Sequence, residues 1–321
     1  MARLTEVLVL VALLALQALG AAPRGAHAAL GAGALRPGAR IDLVVFGDSV
    51  SDTHGTFALT HGAWPVPALY PQHAFSDRSA WPALVGQAAG RRARVQVMSM
   101  ALGGATALPS VQGFTGPASA WPVAGGQSQT EMFAGSPAGA PGPSWGAVRK
   151  VLSHTWVGND VYFELLSRGL DYVSAPAFQS AYVDGVTALA RSSIELALRS
   201  NCSSCDVVLA TQYPLELTPW AALYYPTLNV TAAIDERLRV AFAAELAPLA
   251  TQQVRVHLFD LRGLILELAA TNASPSSPCL NGSLICADPR QFIFYDMFHP
   301  TSPVHERVAA AFADMLLAIE L

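Results

Sequence analysis

The chain has 321 residues, of which 52% are apolar and only 13% charged, with 19 basic against 23 acidic side chains and a formal net charge of −4. An apolar share of that size excludes a disordered or low-complexity chain, which lacks the hydrophobic surface needed to order itself. The slight acidic balance, without any block of Lys and Arg, argues against a nucleic-acid partner, because phosphate binding needs clustered cations.

At the N terminus, residues 1–28 read as a secretory signal peptide. Arg3 precedes a run from Val7 to Ala22 that is broken only by Gln17, and Ala26-His27-Ala28 has the small-x-small form of a cleavage site. An uncleaved signal anchor is the alternative. No later apolar run reaches the roughly 18 residues of a spanning helix, so no stable membrane insertion is expected after cleavage. Residues 29–321 then form a single secreted domain, with no internal repeat and no separating linker.

After a Gly/Ala/Pro-rich spacer, Ile41 to Phe46 reads as a buried strand closed by the turn Gly47-Asp48-Ser49. Residues 60–76, rich in Pro, His and aromatics, read as an irregular but packed loop. Trp81 to Ala89 is a short helix, and Arg94 to Met100 a second strand ending at Gly103-Gly104. Residues 109–146 show no periodicity, as in a functional lid or an insertion. A third strand, Val151 to Val157, ends in Gly158-Asn159-Asp160. Ala177 to Ser200 is a helix by its apolar spacing, Asp206 to Gln212 a strand, Ala232 to Leu249 an amphipathic helix, and Val254 to Asp260 a fifth strand. Phe292 to Tyr295 is a short apolar run, and the last helix spans about Pro303 to Ile319. Strands alternating with helices imply an α/β fold whose mostly parallel five-stranded sheet is covered on both faces.

Four cysteines, Cys202, Cys205, Cys279 and Cys286, form an even set in an oxidising compartment. Disulfides are expected, with the local pairs Cys202–Cys205 and Cys279–Cys286 preferred among three connectivities. A redox Cys-x-x-Cys or a zinc site is the alternative, and the spacing of the second pair suits zinc poorly. Sequons at Asn201, Asn229, Asn272 and Asn281 agree with a glycosylated secreted protein. His54, His61 and His73 match no metal-ligand spacing, so neither metal nor cofactor is expected.

Doubly wound sheets carry their sites at the carboxyl ends of the strands. Ser49, Gly103-Gly104 and Asn159 fall at such ends, and Asp296 and His299 follow the last apolar run. A Ser, a His and an Asp on converging loop tips suggest nucleophilic acyl transfer. The pattern Gly142-Pro143-Ser144-Trp145-Gly146 also has the form of a nucleophile elbow, but that motif needs a strand before it and a helix after it, and a Pro/Gly/Ala stretch precedes it here.

Phe46 to Asp52 resembles the opening block of the GDSL, or SGNH, hydrolases. Ala101 to Thr106 resembles their second block, Trp156 to Asp160 the third, and Asp296 to His299 the last. Phe75 to Trp81 and Phe294 to Thr301 are similar to the plant-type lipase/esterase branch. The resemblance spans residues 41–310 and implies a three-layer α/β/α sandwich and a serine esterase or lipase. It makes Ser49 the nucleophile, His299 the base and Asp296 its orienting partner. It also implies an oxyanion hole from the Ser49 N–H, the Gly104 N–H and the Asn159 side chain, with Gly103 as the alternative to Gly104. Two positions depart from the family pattern: Val157 stands where block three usually has glycine, and Ser99 where block two of the branch often has Asn.

The expected substrate is a carboxylic ester, whether an acyl lipid, an acetylated polysaccharide or a small ester. Short acyl chains are favoured because no separate lid helix is evident. Acyl transfer to another alcohol is chemically adjacent. A non-catalytic binding protein on the same scaffold is the reading from another class. Because His299 has to be neutral to act as a base, activity should rise from mildly acidic to neutral pH.

Overall fold

Ile41, Leu43 and Val45 point to one face of the first strand and Val44 and Phe46 to the other, and all five are buried, as a strand needs when both sheet faces are covered. Each such side chain contributes about 1.5–3 kcal/mol through burial, and together they commit this segment to the middle of a sheet. The computed structural model describes residues 39–318 except 143 and 272–273. The signal segment 1–28 and the sequon at Asn272 lie outside the described residues.

Within the described residues the elements begin with β1 (Ala39–Gly47), α1 (Gly55–Leu59), α2 (Trp81–Ala89) and β2 (Ala93–Ser99). There follow β3 (Gly113–Thr115), β4 (Trp121–Val123), α3 (Gly126–Gly135), α4 (Ser144–Ala147) and β5 (Arg149–Thr155). Next are α5 (Asn159–Arg168), α6 (Leu170–Ser174), α7 (Pro176–Arg199), β6 (Cys205–Ala210), α8 (Pro219–Tyr224), α9 (Val230–Ala241) and β7 (Val254–Phe259). The chain closes with α10 (Leu261–Thr271), β8 (Ser274–Pro278), β9 (Leu280–Asn281), β10 (Leu284–Ile285), β11 (Phe292–Phe294) and α11 (Ser302–Ala318).

The central sheet has the order β2-β1-β5-β6-β7, and every pairing in it is parallel. Two buried apolar clusters flank it. One packs α7 and α9 on the face of Val44 and Phe46, and the other packs α2 and α11 on the face of Ile41, Leu43 and Val45. The fold is therefore the expected three-layer α/β/α sandwich. The strand order reverses at β1, so a crevice opens between the carboxyl ends of β1 and β5. Ser49 follows the first of these strands and Asn159 the second.

Several boundaries differ from the sequence reading. The apparently structureless stretch 109–146 holds the small hairpin of β3 and β4 and the helix α3. Its polar, glycine-flanked sequence hides the helical period. The helix expected over 232–249 is α-helical only to Ala241; a π turn over Phe242–Leu246 and a 3₁₀ turn over Ala247–Leu249 follow, with Pro248 removing a helical donor. The run Phe292 to Tyr295 pairs with β8 outside the central sheet. Both local disulfides, Cys202–Cys205 and Cys279–Cys286, are formed.

Candidate active site

The turn after β1 is tight because Gly47 has no side chain. A Cβ there would run into the Thr155 carbonyl oxygen on β5. The Gln129 amide fixes the same residue from both sides, accepting from the Gly47 N–H at 3.0 Å and donating to the Gly47 carbonyl at 2.9 Å. Asp48 completes the clamp. Its carboxylate accepts from the Val157 N–H at 2.7 Å and, more weakly, from the Val50 N–H at 3.3 Å, tying the first block to the third. Burial pushes the Asp48 carboxyl up to about 7, against the pull of those two amides and of His299.

On this turn Ser49 is nearly buried, and its Oγ lies 2.8 Å from His299 Nε2. On the far side of the ring, His299 Nδ1 is 2.7 Å from Asp296 Oδ2 and 2.9 Å from Oδ1. An ionised carboxylate can only accept hydrogen bonds, so the neutral imidazole carries its proton on Nδ1 and offers Nε2 as an acceptor to the serine hydroxyl. Asp296 Oδ1 also accepts from the Phe298 and His299 N–H groups, each at 2.8 Å. The Tyr70 hydroxyl donates to Oδ2 at 2.7 Å. Burial works to raise the Asp296 carboxyl, but the His299 charge and these donors outweigh it and hold it below the usual carboxylate range. The Phe75 ring lies 5.0 Å from the His299 ring and shields one face of it.

The expected oxyanion donors surround the same cavity. Gly104 adopts φ +83°, and a Cβ there would collide with the Phe114 carbonyl. Its N–H makes no backbone hydrogen bond among the described residues. Gly103 is occupied instead, since its N–H donates to Thr56 Oγ1 at 2.7 Å and to Asp52 Oδ2 at 3.1 Å. Asn159 opens α5 and donates one Nδ2 proton to the Ala105 carbonyl at 2.8 Å, which leaves the second proton for the cavity. The departure at Val157 is accommodated one residue later, because Gly158 takes φ +110° just before Asn159. Asp160 binds the Ala107 and Leu108 N–H groups at 2.9 and 2.8 Å, and burial pushes its carboxyl up to about 6. The second and third blocks are thereby held together.

A cavity of about 290 Å³ opens onto Ser49, Gly104, Asn159 and His299, with Trp64, Phe75 and Tyr162 among its walls. From the aromatic-rich loop 60–76, Trp64 and Phe75 line this cavity. Tyr70 holds Asp296, and Trp81 is core, with its indole N–H on Ser51 Oγ at 3.0 Å. Ser144 begins the short helix α4 and β5 follows it, and among the described residues no strand lies between α3 and α4, so the elbow pattern lacks its strand. The Cys279–Cys286 pair packs with Tyr70 and Tyr295 beside the Asp296 loop. Asn201, Asn229 and Asn281 are exposed.

Two contributors carried no sequence signal. Gln129 comes from a stretch with no period, and nothing in the aromatic loop marks Tyr70 as the partner of a carboxylate 226 positions away.

No curated protein matches the chain. The profile of GDSL-like lipases and acylhydrolases matches residues 43–312, which takes in every block described above. That family consists of hydrolases acting on esters, and this chain belongs to it.

Proposed function

We propose that the protein is a secreted serine esterase that cleaves carboxylic esters through an acyl-enzyme, with Ser49 as nucleophile, His299 as general base and acid, and Asp296 as the group that orients His299. The observation that carries this reading is the continuous chain Ser49 Oγ–His299 Nε2 at 2.8 Å and His299 Nδ1–Asp296 Oδ2 at 2.7 Å beside a cavity. Attack of Ser49 Oγ on the ester carbonyl passes the hydroxyl proton to Nε2, and the Asp296 carboxylate stabilises the imidazolium. The developing oxyanion is met by the Ser49 N–H, the Gly104 N–H and the free Asn159 amide proton. Loss of one such donor typically costs about 10²–10³ in kcat. Collapse expels the alcohol, which takes the proton back from Nε2, and water repeats the sequence in reverse on the acyl-enzyme.

Secretion after cleavage of residues 1–28 agrees with two formed disulfides and with exposed sequons at Asn201, Asn229 and Asn281. Among the described residues no helix is long and apolar enough to cross a membrane. Membership of the plant-type branch rests on the blocks 75–81 and 294–301. There Asp77 accepts from the Ser302 N–H and hydroxyl, both at 2.6 Å, and so caps α11 just after the His299 loop. The test is hydrolysis of p-nitrophenyl acetate by the secreted protein and by Ser49→Ala. The wild type should turn over and the variant should lose roughly 10⁴-fold or more in kcat. Retained activity in Ser49→Ala would overturn the assignment.

A further inference from the structure

We propose that an apolar groove running away from Ser49 is an acyl-chain subsite, and that the substrates are esters of medium- to long-chain fatty acids; this rests on the esterase reading above. The groove starts on α5. Asn159, Tyr162, Phe163 and Leu166 recur at helical spacing, and all four line the Ser49 cavity. An oxyanion donor is thus the first member of a row whose other members are apolar.

That row continues past the Ser49 cavity. Leu166 and Phe298 also line a second cavity of about 690 Å³, whose walls include Trp220, Leu223, Tyr224 and Met297. Among the described residues, no Asp, Glu, Lys or Arg lines either cavity. Such a surface offers no charged partner to a substrate, and beyond the Ser49 cavity its walls are apolar and aromatic, which suits a hydrocarbon chain. Leu166, Leu223 and Tyr224 are 55%, 64% and 62% exposed, an apolar display that is continuous with the candidate active site rather than scattered.

The groove wall is preformed and keyed to the chemistry. The Tyr162, Trp220 and Phe298 rings meet pairwise with centroids 5.0 to 5.3 Å apart. The Trp220 N–H donates to the Met297 carbonyl at 3.1 Å, and the Phe298 N–H donates to Asp296 Oδ1. Two of the wall residues, Met297 and Phe298, therefore lie in the same loop that holds His299, and Trp220 on α8 is bonded to that loop. The leaving oxygen has to sit against His299 Nε2 to receive its proton, so the chain that follows the row from Asn159 is the acyl chain. An open groove of this kind takes a long chain without any lid helix, which removes the ground for favouring short ones.

The test compares p-nitrophenyl acetate, butyrate, octanoate and dodecanoate, each below its aggregation concentration. The proteins are wild type, Leu166→Trp and the double variant Leu223→Ser/Tyr224→Ser. In a groove that leaves one side of the chain in water, kcat/KM should rise about twofold per methylene beyond butyrate, half the logarithmic gain of full burial. Leu166→Trp should reverse that rise already at octanoate. The double variant, at two largely exposed positions, should lower the dodecanoate-to-octanoate ratio about tenfold and leave the octanoate-to-butyrate ratio in place. Several outcomes would overturn the proposal: a Ser49-dependent enzyme whose rates fall from acetate onward, variants that lower all four esters by one factor, or an effect confined to micellar substrate, which would mark a lipid-docking face. A chain-length dependence found with acetates of long alcohols instead would place the alcohol in the groove and equally refute it. No hydrolysis of any ester would remove the underlying esterase reading together with the groove.

Discussion

Two buried carboxylates in this molecule each hold a histidine, one at either end of the central sheet. At the carboxyl end Asp296 lies 2.7 Å from His299, and at the amino end Asp206 lies 2.9 Å from His257. Their surroundings differ. Asp206 is fully buried in the second position of β6 and is also bound by Arg149 and Arg255, at 2.7 and 2.8 Å. Burial works to raise its carboxyl, but His257 and the two guanidinium groups outweigh it and pull it well below the ordinary range. Among the described residues Asp296 has only His299, a tyrosine hydroxyl and two backbone amides, and no arginine competes for it. The second nitrogen of His299 meets Ser49, whereas His257 meets Asp206 through Nε2 and no serine joins the pair. The comparison teaches that an Asp–His contact identifies neither a site nor a strut. What decides is whether the carboxylate charge is already neutralised and whether the free imidazole nitrogen faces a nucleophile.

Substitutions at the two carboxylates should therefore have opposite consequences. The largest expected effect is on chemistry: Asp296→Asn should lower kcat by roughly 10³–10⁴-fold, because the amide no longer favours the tautomer that offers Nε2 to Ser49. Its melting temperature should move little, which a parallel thermal melt would check. Asp206→Asn should do the reverse. Arg149, with only 3% of its side chain exposed, loses its charge partner, at a cost of about 3–5 kcal/mol or roughly 10 °C in Tm. Activity per folded molecule at low temperature should be unchanged.

The pH dependence of stability sharpens the same contrast. A carboxyl lowered from 3.8 in the folded state, as at Asp206, contributes stability that is present above the ordinary value and lost as pH falls through the lower folded one. Melts between pH 2 and 5 should show a steep acid limb in the wild type and a flatter one in Asp206→Asn. Equal limbs would mean that the Arg149–Asp206–Arg255 cluster does not hold the sheet end.

The smallest effect expected is at Tyr70. Tyr70→Phe removes one donor from Asp296 Oδ2 and should lower kcat about tenfold or less, with KM unchanged and the acid limb of the pH–rate profile displaced. A change in KM alone would reassign Tyr70 to substrate contact.

The sheet was readable because the central strands β1 and β6 are buried on both faces and read as largely apolar runs, while the edge strands β2 and β7 keep apolar residues at alternate positions; 41–46, 94–100, 206–212 and 254–260 lie within two residues of the observed strands. The third ended late, since Trp156 and Val157 continue the apolar run of β5 after its ladder stops. Helices with a strong apolar face, such as 177–200 and 303–319, were equally clear. Those that lie on loops were not: α3 has few apolar positions, and α5 begins inside a motif whose turn residues mask it. Among the site residues, Ser49, Asp296 and His299 stood out because turn chemistry sets them at strand ends. The resemblance preferred Gly104 narrowly over Gly103, and the bonds of the Gly103 N–H to Asp52 and Thr56 favour the same choice. Gln129 and Tyr70 were invisible, since their roles depend on contacts across 82 and 226 positions that no local pattern encodes.

The central claim is that His299 activates Ser49 and no other serine. Its most direct test is to treat the secreted protein with a fluorophosphonate probe and locate the adduct by peptide mass spectrometry. The account predicts one adduct, on the peptide containing Ser49, absent in Ser49→Ala and in His299→Ala and undiminished in Ser144→Ala. An adduct on Ser144, or undiminished labelling of Ser49 in His299→Ala, would contradict it.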